Sequence, residues 1–184
     1  MRLISLGLAT LLTAWFAVST HAAVPPAYQW TAQKADVPSI ILFAVALQES
    51  GMPLHGRLIP WPWTLNIAGT PQRYVNRSDA CLGLRQALLQ VPATRIDVGL
   101  CQLNVGYHGN QVGHVCDLLD PYHNLDSAAT ILRQHFDHTH DWLDAAARYH
   151  YPAGGAPARQ YRLAVEQHLR RVLGAGFLSP GVAR

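Results

Sequence analysis

The chain has 184 residues, of which 49% are hydrophobic and only 14% charged, with a formal net charge of +3. That length and apolar content suit one packed domain and exclude a disordered chain. Charge this sparse excludes a nucleic-acid binder, which needs clustered Lys and Arg, but is compatible with an anionic polymer as partner.

Residues 1–22 read as an export signal. "MR" is a short basic start, "LISLGLATLLTAWFAV" an apolar run, and "STHAA" supplies small residues for cleavage after Ala22 or Ala23. The run holds Ser5, Thr10 and Thr13 and falls short of the roughly 20 residues a spanning helix needs. A cleaved, periplasmic protein is therefore expected, with the folded domain at 23–184. Losing Arg2 leaves the mature chain at +2. Three cysteines, Cys81, Cys101 and Cys116, then enter an oxidising compartment, enough for one internal disulfide and one leftover thiol. Their spacing leaves all three pairings open.

A first helix is predicted at about Ala27 to Lys34. Asp36, Val37 and Pro38 look like the start of a second, running from Pro38 to Ser50, with Gly51 as its C-cap. Eight consecutive apolar residues, Ile40 to Leu47, make it the buried central helix. Glu49 stands on its last turn, where a helix C-terminus disfavours negative charge. "WTLNIA" and "QRYVN" flank "GTP" and predict a small hairpin. Ser78 suits the N-cap of a helix over Asp79 to Gln90, which Pro92 breaks. "RIDVGLCQLNVG" reads as extended or irregular. Helices follow at about Asn124 to His138, Asp141 to Tyr149 and Pro157 to Leu173, with Gly174 as the stop. The sum is an α+β domain, mainly α, with one small hairpin.

Three segments carry chemistry: "ALQESG" at 46–51, "VGLCQLN" at 98–104 and "AARYHYP" at 146–152. In this order they resemble the motifs of the lytic transglycosylases of the soluble-transglycosylase, goose-lysozyme-like family, which read Glu-Ser, Gly-Leu-Met-Gln and Ala-Tyr-Asn. A fourth, "PWPWTLN" at 60–66, resembles the branch attached to conjugative elements and type IV secretion systems. The likeness spans about residues 27 to 173. It implies a lysozyme-like fold and a lyase that cuts the β-1,4 bond between N-acetylmuramic acid and N-acetylglucosamine in peptidoglycan, leaving 1,6-anhydro ends. It implies no cofactor and no metal. Partners would be glycan strands and components of a conjugation or secretion assembly, and the protein is expected to be a monomer.

By the resemblance, Glu49 is the acid and base, Gln102 and His150 meet the substrate, and the Tyr149 hydroxyl contacts the glutamate; Ser50 either touches the substrate's acetamide or caps the helix end. An apolar wall at a helix C-terminus independently favours the protonated carboxyl that a general acid needs. An extended backbone through 101–105 would put Gln102 and Asn104 on one side, facing sugar hydroxyls and acetamides. Cys101 replaces the family's Met and His150 its Asn. The first replacement suggests that Cys101 is the leftover thiol and that Cys81 pairs with Cys116. Asp97 is the natural second carboxylate for a hydrolase, though an Asp beside Gly99 also suits a turn. Trp61 and Trp63 are candidates for stacking on sugar rings. The tract "HFDHTHD" at 135–141 places His135 and His138 on one helix face, but without an HExxH pattern it reads as a solvated helix end.

Overall fold

The computed structural model describes residues 23–174. The proposed export signal lies outside them. Helix α1 (Pro26–Lys34) leads into α2 (Ser39–Ser50). Every residue of α2 from Ile41 to Leu47 is buried, as an all-round apolar helix must be. Gly51 follows in an extended conformation and not as a left-handed C-cap. Glycine is required there because a Cβ would overlap the Leu47 carbonyl oxygen.

Two antiparallel sheets follow. Strands β1 (Gly51–Leu54) and β2 (Arg57–Pro60) form a hairpin not expected from the sequence. Strands β3 (Thr64–Ile67) and β4 (Thr70–Arg73) form the predicted one. The helix expected from Asp79 is α3 (Arg77–Ala87), and its N-cap is Asn76 in place of Ser78: the Asn76 side chain accepts from the Asp79 N–H at 2.9 Å. The "RIDVGLCQLN" stretch contains two short strands, β5 (Ile96–Val98) and β6 (Leu103–Asn104), which complete a sheet of order β4-β3-β5-β6.

After the short α4 (Val105–His108) and a 3-10 turn at Val115–Leu119, the chain forms α5 (Pro121–Thr139), α6 (Trp142–His150) and α7 (Gly155–Leu173). Asp120 caps α5, accepting from the Tyr122 and His123 N–H groups, and Asp141 caps α6. The result is α+β and mainly helical.

Two apolar cores result. In the first, α1, α5, α6 and α7 supply Ala32, Leu132, Ala146 and Val165 around α2. In the second, Leu65, Ile96, Val98 and Leu103 from the inner face of the larger sheet pack on Leu84 of α3 and on Leu118. Cys81 of α3 and Cys116 form a disulfide that ties α3 to the 3-10 turn, and Cys101 is free and buried. Strand alternation turns the other face of the sheet away from the second core. Thr64, Asn66, Asp97 and Asn104 stand on it and look across at the end of α2.

Candidate active site

A cleft of ≈ 580 Å³ opens between the two cores, with Glu49 on its helical side and the outer face of the larger sheet opposite. A larger groove, ≈ 770 Å³, runs along β2 and the end of α7, but none of the candidate residues lines it.

Glu49 is half-buried on the last turn of α2, and its Oε1 accepts a hydrogen bond of 2.6 Å from the Tyr161 hydroxyl of α7. Its pKa is pushed up from 4.5 to about 7. Burial is the main cause, the Tyr161 hydrogen bond opposes it, and the negative charge of Asp97 adds to it. A carboxyl of that kind is protonated and deprotonated in comparable amounts near neutral pH, as a group that must act as acid and then as base requires. Burial beside Glu49 pushes the Tyr161 phenol well up, so it stays a neutral donor.

Tyr149 does not make the contact expected of it. Its hydroxyl donates instead to the Cys101 carbonyl at 2.7 Å. That bond belongs to a set that pins the Gly99–Gln102 turn from four directions. The Ser50 hydroxyl donates to the Leu100 carbonyl at 2.7 Å from α2. The Asn124 Oδ1 accepts from the Cys101 N–H at 2.8 Å from α5, while its Nδ2 donates to Val98 and Leu118. The Gly99 N–H donates to Thr64 at 2.8 Å from β3. Glycine is needed at 99, where φ is +86° and a Cβ would collide with the Asn124 amide.

Ser50 is wholly buried and lies behind the cleft wall. The structure therefore gives its hydroxyl a scaffolding task in place of the expected substrate contact. Gln102 lines the cleft but is not extended: its φ is +50°. Its Nε2 donates to the carbonyls of Gly99 at 2.8 Å and Thr64 at 3.2 Å, leaving the acceptor Oε1 as the end available to a ligand. Asn104 also lines the cleft, but through its place on β6 and not by alternation with Gln102. Its Oδ1 caps α4 by accepting from the Gly106 N–H, and its Nδ2 donates to Asp97 at 2.8 Å and to Thr94 at 3.0 Å.

His150 lines the cleft and stacks face to face on Tyr161, with ring centres 4.6 Å apart and planes 6° from parallel. Burial lowers its pKa and Asp97 opposes that shift, so the imidazole is mainly neutral at neutral pH. Asp97 faces the cleft, and its carboxyl is bonded to Asn104 and not to the Gly99 turn. Its pKa is raised by burial, against the Asn104 hydrogen bond and the nearby His150.

Trp61 and Trp63 pack edge to face on each other at 5.7 Å, and Trp61 Nε1 donates to the Tyr74 carbonyl, so both support the hairpin and neither lines the cleft. Within the histidine tract only His135 reaches the cleft, and His138 Nδ1 sits 2.7 Å from the Gln134 carbonyl.

Sequence reasoning missed Tyr161, Asn124 and Asn66. Tyr161 carried a weak signal, as an aromatic on the face of α7 that packs against α2. Asn124 carried none beyond being a polar residue at the predicted start of α5. Comparison of the chain with protein-family models, curated proteins and solved structures returned no match.

Proposed function

We propose that this protein is a peptidoglycan lytic transglycosylase, with Glu49 as its single acid and base. The observation that carries the reading is Glu49 itself: a carboxyl held near pKa 7, hydrogen-bonded by Tyr161, at the wall of a cleft whose opposite side is a polar sheet face. The resemblance of "ALQESG", "VGLCQLN" and "AARYHYP" to the family motifs adds the substrate class. A cleft whose far wall offers Thr64, Asn66, Gln102 and Asn104 to a bound chain suits a sugar strand.

In this reaction Glu49 gives its proton to the glycosidic oxygen as the bond to the anomeric carbon breaks. The N-acetylglucosamine part leaves as an alcohol. The 6-hydroxyl oxygen of the muramic acid bonds to the anomeric carbon, and the Glu49 carboxylate takes the hydroxyl proton. No water is consumed, and the carboxyl ends protonated as it began. Tyr161 holds the carboxylate in place through the second step, and Gln102 offers Oε1 to the sugar. Export to the periplasm, and wall opening for a conjugation or secretion channel, belong to the same proposal and rest on the first 22 residues and on "PWPWTLN".

Asp97 supports a second reading. A second carboxylate in the same cleft, electrostatically coupled to Glu49, is the arrangement a glycoside hydrolase uses to activate water. Mass spectrometry of muropeptides released from purified peptidoglycan separates the two. Anhydromuramyl products from the wild type, and none from Glu49→Gln, support the lyase. Reducing ends that vanish in Asp97→Asn support the hydrolase. Binding without release of any product would make the protein a wall-binding component.

A further inference from the structure

The outer face of the larger sheet carries one side chain that the catalytic reading does not use. Strand register sets Pro71, Asn66, Asp97 and Asn104 in one row across β4, β3, β5 and β6, and all four line the cleft. Asp97 and Asn104 are bonded to each other. Asn66, between Pro71 and Asp97, has a buried Oδ1 with no hydrogen-bond partner. Such an atom costs the fold stability, because water is lost and nothing replaces it. Pro71 across the strand pair has no N–H to offer, and a carboxylate such as Asp97 is an acceptor when ionised. Leucine has the branched outline of asparagine, is larger, carries no polar atom and would spare the cost. Thr31, the other residue with a buried unbonded oxygen among the described residues, lies in α1 away from the cleft.

Asn66 lines the cleft while its Oδ1 is turned inward without a partner, and a ligand that draws the amide outward would complete it. We infer that Asn66 is a specificity-determining residue that recognises the 2-acetamido group of the bound sugar. Rotation of the carboxamide out of its closed position brings Oδ1 to the acetamide N–H. The acetamide methyl then rests on the Pro71 ring, a contact that a bare hydroxyl has no group to make. The negative charge of Asp97 beside Asn66 favours an N–H donor there and disfavours a carboxylate. The inference rests on the glycan reading above and names the sugar feature that the sheet wall selects.

The test uses the mature protein with Asn66→Leu and Asn66→Ala, measuring urea denaturation and the affinity for two hexamers, one of N-acetylglucosamine and one of glucose. Asn66→Leu is expected to keep or raise the denaturation midpoint while weakening the N-acetylglucosamine hexamer about tenfold, the worth of one buried hydrogen bond. Asn66→Ala is expected to lose the same affinity, which keeps the test valid should the leucine fail to pack. The glucose hexamer should bind the wild type more weakly and be unaffected by either substitution. Unchanged affinity for the N-acetylated hexamer, or equal weakening of both hexamers, overturns the inference. Were the first to occur in a protein that still releases muropeptides, the catalytic reading would stand and only the role of Asn66 would fall. A wild type that bound neither hexamer and released nothing would sink both.

Discussion

Glu49→Gln tests the physical basis of the site without a substrate. In the folded protein the Glu49 carboxyl has its pKa near 7, and in the unfolded chain near 4.5. Below about pH 4.5 it is protonated in both states and has no effect on stability. Between 4.5 and 7 the unfolded chain releases the proton and the folded protein keeps it, so stability falls as pH rises. Each pH unit in that interval removes about 1.4 kcal/mol. Above 7 both states are ionised, and the penalty levels off at about 3 kcal/mol. Glutamine has nearly the same shape, can accept from Tyr161 through Oε1, and cannot ionise. The variant should therefore match the wild type in urea denaturation at pH 4 and exceed it by up to about 3 kcal/mol at pH 8. An offset that does not change with pH, or a variant less stable than wild type at pH 8, would refute the claim that burial strains the ionised carboxylate. The same pKa sets the activity profile: the acid form is lost as pH rises through about 7, so the rate should fall on the alkaline side.

Three further substitutions probe the groups around Glu49. Tyr161→Phe removes the hydrogen bond that lowers the Glu49 pKa, so the alkaline limb of the rate profile should move to higher pH while the maximal rate falls roughly tenfold. A lower rate with an unmoved limb would show that the tyrosine only fills space. Ser50→Ala should cost about 1–3 kcal/mol in denaturation, because the buried Leu100 carbonyl loses its donor. It should reduce turnover through misplacement of Gln102, and a stability unchanged within error would contradict that. Replacing Cys81 and Cys116 together by serine opens a disulfide that spans 35 residues and should cost about 2–4 kcal/mol. The cleft lies apart from that bridge, so activity at low temperature should survive, and a matching loss of activity would place the α3 lobe closer to the chemistry than the geometry does.

How much of this was legible depended on which interaction fixed each residue. The helices were readable because apolar period and caps are local: Ile40 to Leu47, set between Pro38 and Gly51 in a segment too long for a typical strand, reads as a helix covered on all sides. Glu49 was readable for the same reason, as a charge that breaks the pattern of its own helix. The partner of Glu49 was not, because it is chosen by packing across 112 positions of chain. Tyr149 and Tyr161 each need an acceptor for a buried hydroxyl. Either is a candidate partner for Glu49 on sequence grounds, and the motif favoured Tyr149. The packing of α6 against the Gly99–Gln102 turn brings Tyr149 to the Cys101 carbonyl, while α7, lying along α2, brings Tyr161 to the carboxylate. The role of Ser50 was hidden by the same step: next to Glu49 in sequence, it points into the core and not the cleft, since neighbouring helical residues do not share a face. The site is therefore assembled in two layers. One layer, Glu49 and Gln102, is marked by short motifs because residue type alone decides its chemistry. The other, Ser50, Asn124 and Tyr149, holds the turn that presents Gln102, and any donor or acceptor reaching the same backbone atoms would serve. Substitutions in the second layer should thus be rescued by residues that restore the hydrogen bond, Ser50→Thr among them if the extra methyl is accommodated, whereas no conservative exchange short of another carboxylic acid should rescue Glu49.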